Sequence, residues 1–451
     1  MPALRPEYSS PMTVTMNEWD RLGPAQDPRL STFNVVDNPL VRQQVGALRG
    51  RVDLRQGLDG VEITTNSFVG RVDVGPLRIV VRPKLQALPL THLLRYAYGL
   101  RDVAAIDETR SPMAVRGIHD LLIAILASEV EELLHRGLAR RYIRISEKLE
   151  SPRGRILVDQ VIRQGGVREA RLPCAHFDRH ADWHLNRVLQ AGAQCAALLT
   201  EDRDLRQRMH RIAATFPDVG PLAELSLREI ERAERDLTRL TAAARPALTV
   251  IRLLQEAQGV GFDPGLRESR VSGFLFDMNI FFQRLLSRFL HENLSAARIE
   301  DERVIRKLFT YAPDANPRRL TPPAPRPDYA LYRENVLSGF MDAKYRDLWQ
   351  RSLPPEWLYQ LSIYALASPS EISILLYASM SQGAKDERIE IRQPVSWSVK
   401  SPASIIIRPV PLDYLAQLVA PNRMHGSAAE RRHLAQVLVA HQTRQDATRA
   451  A

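Results

Sequence analysis

Residues 326–349, RPDYALYRENVLSGFMDAKYRDLW, limit what this chain can fold into more than any other stretch. Two short apolar runs, Tyr329-Ala330-Leu331-Tyr332 and Leu337-Ser338-Gly339-Phe340-Met341, follow one another as the strands of a hairpin do. Asp328 opens the first run and Asp342-Ala343-Lys344 ends the second, with thirteen residues between the two aspartates. If the runs pair antiparallel, the open end of the hairpin brings Asp328 and Asp342 side by side. Side chains alternate along a strand, so Lys344 projects from the same face as Asp342.

The flanking text places this hairpin in an α/β domain. A helix is expected over VSGFLFDMNIFFQRLLSRFL, with Phe274, Met278, Phe282, Leu285 and Phe289 on one face. A proline-rich bend follows at Pro317 to Pro327. After the hairpin, a helix from about Pro355 to Ala367 leads into Ile372-Ser373-Ile374-Leu375-Leu376-Tyr377, a continuous apolar run typical of a buried strand. The order α, β, β, α, β describes one compact domain over residues 266–420.

Upstream, residues 1–50 are mixed, with proline breaks at Pro24, Pro28 and Pro39. Val61 to Leu85 reads as a hairpin or small barrel: apolar residues alternate, Gly75-Pro76 makes a turn, Ile79-Val80-Val81 are β-branched, and Pro83 closes the strand. The middle third reads as helical. Leu122, Leu126, Val130 and Leu133 recur at helical spacing with Gly137 at the C-cap, a second helix runs from about Asp182 to Leu199, and a third, rich in charged residues, is expected near Ser226 to Gln258, packed on its neighbours in a long hairpin. The expected fold class is α+β and multidomain: a β-rich module over 1–95, a helical middle region over 96–265, the α/β domain over 266–420, and a polar, peripheral helical tail over 421–451.

A chain of 451 residues exceeds one ordinary core, which agrees with that division. No stretch approaches a membrane span, and MPALRPEYSSPM lacks the apolar core of a secretory signal, so a cytoplasmic protein with no membrane partner is expected. Two cysteines, Cys174 and Cys195, exclude a disulfide framework. Lys plus Arg number 62 against 52 Asp plus Glu, a balance that favours a polyanionic partner.

Two adjacent carboxylates suit Mg²⁺, which prefers hard oxygen ligands and keeps several waters; Mn²⁺ is a possible substitute. Asp328 and Asp342 are the candidate metal ligands, and the Ala343 carbonyl is a third. A lysine beside the attacking water orients it and offsets developing negative charge, so Lys344 is the third candidate catalytic residue, its role open between orienter and acid–base group. Together Asp328, Asp342 and Lys344 spell the PD-(D/E)xK pattern of metal-dependent endonucleases. The expected domain over 266–420 is therefore restriction-endonuclease-like, and its substrate is double-stranded DNA. Gln360 and Tyr364 lie one helical turn apart and either support Lys344, touch DNA or simply pack. Arg318, Arg319 and Arg326 either grip phosphates or lie in a solvated loop. Arg71, Arg78 and Arg82 alternate with apolar residues and either contact a partner or DNA or, the favoured reading, are ordinary surface charge. Cys174, His176, His180 and His184 form C-x-H-x₃-H-x₃-H, either a zinc site on one helix face or a His-rich helix entrance.

The phrases PDYAL, GFMDAKY and YQLSIYALA resemble the nuclease domain of the McrC family, the cleavage subunits of modified-cytosine-dependent restriction systems. SFVGRVDVGPLRIVVRPKL, RGLARRYIRISEKLESPRGRI and FLFDMNIFFQRLL resemble the same family in the right order, over about residues 61–378. The resemblance implies a C-terminal nuclease acting on modified DNA, and a docking function of the module over 1–95 toward an McrB-like AAA+ GTPase ring whose hydrolysis it stimulates. The chain carries no G-x-x-x-x-G-K-[ST] phosphate loop of its own. Where that family often has a glutamate on the helix before the hairpin, this chain has Gln283, a neutral ligand that leaves two-metal catalysis open. Asp277 and Glu292 lie nearby and are expected in capping or structural roles. Two other readings stand beside this one: a repair or recombination nuclease independent of a GTPase, and a GTPase-activating adaptor with a vestigial site.

Overall fold

The hairpin forms in a computed structural model of the chain, which describes residues 12–85, 87–100, 117–167, 169–216, 218–258, 272–312, 314–392, 402–421 and 427–441. The residues group as two compact units, one of 1–102, 112–115 and 260–451, the other of 103–111 and 116–259. The start of the chain (residues 1–11) and the end of the expected tail (442–451) lie outside the described residues.

The first unit opens with strands β1 (Met12–Asn17) and β2 (Arg21–Leu22), helix α1 (Pro39–Leu48), strands β3 (Val52–Gln56), β4 (Val61–Thr65), β5 (Phe68–Val74) and β6 (Leu77–Arg82), and helix α2 (Ala87–Tyr98). The β-rich reading of 61–85 holds: β5 and β6 pair across the Gly75-Pro76 turn, and the sheet orders are β1-β6-β5-β10 and β2-β4-β3. Val69, Val72, Val74, Leu77, Ile79 and Val81 are buried, as the alternation requires.

The second unit carries α3 (Ile118–His135), β7 (Arg141–Leu149), β8 (Arg155–Ile156), α4 (Val158–Arg163), β9 (Leu172–His180), α5 (His184–Leu199), α6 (Arg203–Ala214), α7 (Leu227–Arg235) and α8 (Arg245–Gln258). Helix α3 ends ahead of Gly137, whose φ of +88° accommodates the reversal. The reading of this region as helical needs correction, because β7, β9 and β8 form a three-stranded antiparallel sheet. Strand β7 is exposed along nearly all its length, so backbone pairing holds it and no apolar alternation announces it. The single helix expected over 226–258 is two, α7 and α8, separated by a turn ahead of Pro246.

The chain returns to the first unit with β10 (Ser272–Asp277), α9 (Met278–Asn293), β11 (Ala297–Asp301), β12 (Tyr329–Arg333), β13 (Val336–Lys344), α10 (Pro355–Ala367), β14 (Ile372–Ser379), β15 (Glu387–Ile391), β16 (Ala403–Pro411), α11 (Leu412–Leu418) and α12 (Ser427–Val439). The single helix expected from 271 to 290 is a strand followed by a helix, so Phe274 does not share a helical face with Met278 and Phe282. Strand β10 pairs with β5 at a close approach: Gly70 has φ of +139°, and a Cβ there would lie 2.0 Å from the Phe274 carbonyl oxygen. Asp277 then caps α9, accepting the Asn279 and Ile280 N–H groups at 2.8 and 3.4 Å, and burial raises its pKa.

A six-stranded sheet, β11-β12-β13-β14-β16-β15, forms the C-terminal part. Its β12–β13 hairpin turns on Glu334 and Asn335, whose φ angles of +48° and +63° fit a two-residue hairpin loop. Strand β14 runs parallel to β13 and is buried, as its apolar run predicts. Helix α10 covers one sheet face, where Phe340, Leu361, Tyr364, Leu375, Tyr377, Ile405 and Ile407 cluster, and α9 packs against β13 and β11. The expected peripheral tail is docked instead: Leu434, Ala435, Leu438 and Val439 of α12 are buried. Arg408, wholly buried, explains why. Its Nη1 donates to the Val437, Leu438 and Ala440 carbonyls at 2.7, 3.1 and 2.7 Å, while Nε and Nη2 donate to Asp386 at 3.0 and 2.8 Å. That guanidinium meets the unpaired carbonyls every helix leaves at its C-terminus.

Two stability experiments follow from these contacts. Arg408→Met strands the buried Asp386 and uncaps α12, and is expected to cost about 3–5 kcal/mol in denaturant unfolding. Glu18, also buried, accepts the Lys84 N–H at 2.9 Å and the Tyr345 hydroxyl at 3.1 Å, and burial raises its pKa from 4.5 to about 7. Below pH 4.5 both the folded and unfolded chains hold the proton. Stability then falls as pH rises toward 7, where the buried carboxylate is charged. Glu18→Gln should remove this decline and gain about 3 kcal/mol at pH 8 relative to wild type, read from unfolding curves across pH.

Candidate active site

Hairpin register decides the geometry. Tyr329 pairs with Met341, so the next pair toward the open end is Asp328 with Asp342. The two acids lie close enough for the Asp342 charge to act on the Asp328 carboxyl. Strand alternation puts Lys344 beside Asp342, with Nζ 2.6 Å from Asp342 Oδ2. Asp342 is buried, and that oxygen has no aligned hydrogen-bond donor.

Asp328 is held from three sides. Its Oδ2 accepts the Ala343 N–H at 2.7 Å, its carbonyl accepts the Glu302 N–H at 2.8 Å, and both carboxylate oxygens lie 3.1 Å from Gln283 Nε2. Gln283 itself is fixed by the Tyr329 hydroxyl, which donates to its carbonyl at 2.6 Å. A strand residue sends its N–H and C=O to the same edge, so the Ala343 carbonyl leaves the backbone on the Asp328 side. Burial, then the Asp342 charge, pushes the Asp328 carboxyl up to about 7, against the opposing pull of Lys344 and the Ala343 N–H.

The structure therefore brings together Asp328, Asp342, Ala343, Lys344 and Gln283. Tyr364 lies close enough for both acids to act on it: burial first, then Asp342 and Asp328, raise its hydroxyl to about 12. Gln360 Nε2 donates to that hydroxyl at 2.7 Å, so the pair is a supporting wall. Arg318 and Arg319 are exposed in the loop before β12, and Arg326 is tied to Glu302 through Nε and Nη2. Glu292 accepts from Tyr96 and Arg288 at 2.6 and 2.7 Å and serves the α2–α9 contact. Arg78 pairs with Asp73 across the β5–β6 hairpin at 2.8 Å, Arg71 is half-buried, and Arg82 is exposed.

Cys174, His176 and His180 lie on strand β9 and His184 begins α5, so no helix face joins them. His184 Nε2 is 2.9 Å from the Glu229 carbonyl. Among the described residues no group of three or more His, Cys, Asp or Glu is arranged to hold a metal ion. The donor set at the hairpin end is smaller, two carboxylates and a backbone carbonyl, and suits a cation that keeps waters in its remaining positions.

Sequence reasoning missed three residues at this site. Trp19, in the β1–β2 loop, donates from Nε1 to the Tyr345 carbonyl at 2.9 Å. The guanidinium carbon of Arg346 lies 5.2 Å from the Trp19 ring and 5.7 Å from the Trp357 ring, and Lys344 Nζ lies 5.6 Å from the latter. Arg346 and Trp357 were legible as neighbours of the Asp-x-Lys segment; Trp19, over 300 positions away, carried no local signal.

The mixed α+β fold has a counterpart among known proteins. The family model for the McrBC 5-methylcytosine restriction system component matches residues 63–378. The chain belongs to that family. In a solved structure titled as the refined half-complex from a tetradecameric assembly of Thermococcus gammatolerans McrB AAA+ hexamers with bound McrC, one chain superposes with TM-score 0.63 at 19% identity, covering 94% of this chain and 99% of its own. A chain of the cryo-EM structure of the Thermococcus gammatolerans McrBC complex matches with TM-score 0.45 at 21% identity, covering 63% of this chain and 88% of its own. No curated protein matches the chain. Among the described residues no helix is long and apolar enough to cross a membrane.

The paired carboxylates can be tested without a metal. In metal-free Glu18→Gln protein, which lacks the other carboxyl raised to about 7, infrared titration of the protonated carboxyl band should place one midpoint near pH 7, lost when Asp328→Asn is added. Asp342→Asn should move that midpoint down, by only part of the shift, because burial is its larger cause. An unmoved midpoint would show that the two acids are not coupled.

Proposed function

We propose that this chain is the DNA-cleaving subunit of a modification-dependent restriction system, with a PD-(D/E)xK nuclease centre at the open end of the β12–β13 hairpin. The observation that carries the reading is the pair of half-buried Asp328 and buried Asp342, facing each other at the end of the hairpin register, with Lys344 Nζ 2.6 Å from Asp342. Two neighbouring acids shielded from water are stable as a charged pair only beside a strong cation, and one lysine leaves room for a second.

Asp328, Asp342 and the Ala343 carbonyl would hold Mg²⁺, with Mn²⁺ as substitute. The ion supplies polarisation of a phosphoryl oxygen and a water of lowered pKa. Lys344 contributes a positive charge at the same face, where it orients the attacking water and offsets charge developing on the phosphate. Gln283 holds the Asp328 carboxylate in place; as a neutral amide it adds no charge, which favours one ion over two. Tyr364 and Gln360 wall the site on the α10 side.

Membership of the family supports the partner and substrate proposed here. In the Thermococcus gammatolerans assembly McrC is bound by McrB AAA+ hexamers, and this chain is proposed to occupy the corresponding place on an McrB-like GTPase ring that selects modified double-stranded DNA. The excess of 62 basic over 52 acidic residues suits a DNA-bound subunit.

Cleavage of methylated plasmid, with Mg²⁺, GTP and the McrB-like ring, is expected for the wild type and abolished by Asp342→Ala. Lys344→Ala should slow it by on the order of 10²–10³-fold, the usual effect of removing one group that stabilises developing charge. Cleavage without the ring would instead favour an independent nuclease. GTPase stimulation with no cleavage under any condition would make the chain an activator with a silent site.

A further inference from the structure

We propose that Arg346 is a positioning residue that binds a backbone phosphate of the DNA strand lying in the hairpin-end site, held ready for it by the indoles of Trp19 and Trp357. The inference rests on the nuclease reading and adds a substrate contact to it.

The backbone before Arg346 is fixed from both sides. The Tyr345 N–H donates to Asn279 Oδ1 at 2.9 Å, its carbonyl accepts from Trp19 Nε1 at 2.9 Å, and its hydroxyl reaches Glu18 at 3.1 Å. Helix α9, the β1–β2 loop and the buried Glu18 thus set where Arg346 leaves the end of β13. Two indole rings then lie 5.2 and 5.7 Å from its guanidinium carbon, distances at which an aromatic face attracts a cation. One of those rings, Trp357, also lies 5.6 Å from Lys344 Nζ, which ties Arg346 to the site itself.

The arrangement lacks an anion in contact, Glu356 acting on Arg346 only from beyond ion-pair distance. Arg346 Nε is buried without a hydrogen-bond partner, and no described carboxylate lies within ion-pair distance of its guanidinium. Neighbouring arginines differ: Arg351 is 3.6 Å from Asp20, and Arg326 is paired with Glu302. A buried donor left unmatched is costly, and a guanidinium presents a planar fork that fits two phosphate oxygens. Trp19 adds a second sign of purpose. Its φ of +59° is a left-handed conformation rare for a bulky residue. Strain of that kind, worth about 1–3 kcal/mol, persists where the surrounding structure enforces it, and it gathers at ligand sites. Here it brings the indole to Tyr345 and Arg346.

If Arg346 only bridged two indoles, replacing it would change stability and leave ionic contacts with DNA unaltered. A phosphate contact instead releases counterions, so it contributes about 0.9 to the slope of log affinity against log salt. The test is fluorescence anisotropy of a 30-base-pair duplex on the full chain with Ca²⁺ in place of Mg²⁺, across a salt series, for wild type, Arg346→Met and Arg346→Lys. Arg346→Met should lower the slope by about 0.9 and weaken binding several-fold at low salt. Arg346→Lys should keep the slope and bind more weakly than wild type, which also serves if the methionine variant folds poorly. An unchanged slope in Arg346→Met, or no duplex binding by wild type, would overturn the proposal. The nuclease reading fails separately, if Asp342→Ala still cuts plasmid.

Discussion

Two carboxylates in contact inside a protein repel each other and resist ionisation, and the C-terminal part of this chain is arranged around that repulsion. Asp328 and Asp342 are brought together by backbone pairing, since Tyr329 opposite Met341 leaves them no other register. Slipping the pairing by one residue would turn Phe340 out of the core and Asp342 onto the opposite face. The large aromatic cluster under α10 therefore fixes the register, and the register fixes the acids. Lys344, the Ala343 N–H and the Gln283 amide each lower the cost of keeping them there. The pair is stable enough to fold and unfavourable enough to favour a cation.

The same site explains why the N-terminal strands belong to the first unit. Strand β10 joins the β5–β6 hairpin to the start of α9, and α9 carries Asn279 to the Tyr345 N–H and Gln283 to Asp328. Ser67 lies on the same path, within 2.9 Å of Asn279 Nδ2. The module contributes Trp19 and Glu18 to the residue that follows Lys344. An N-terminal module that was only a docking platform would have no need of these contacts. Its strands brace the backbone just beyond the lysine.

How much of this the sequence showed depends on whether a signal was local. The hairpin, α10 and β14 were legible because their apolar runs face a core and their spacing is that of the element. The acids were legible because each flanks an apolar run, and pairing those runs as a hairpin brings their open ends together. The β10 strand was read as helix because FLF followed by MNIFF satisfies a helical spacing, and only pairing with β5 across nearly 200 positions of chain separates the two. The β7–β9 sheet escaped because its first strand has no buried face, and β15 and β16 because their partners had to be known first. Helix α12 read as a polar tail because what docks it is one buried arginine from β16. Long-range pairing and buried charge leave little trace in periodicity.

Arg408 and Arg346 show the two uses a guanidinium withdrawn from water, wholly or in part, can have. Arg408 has every donor direction met by Asp386 and by three carbonyls at the end of α12, so it is a closed structural joint. Arg346 lies beside two aromatic faces with its Nε unmatched. Burial costs both of them hydration, and only one recovers it within the chain. The one that does not stands beside the paired acids and the lysine, where an anionic substrate would have to lie for the hairpin end to act on it.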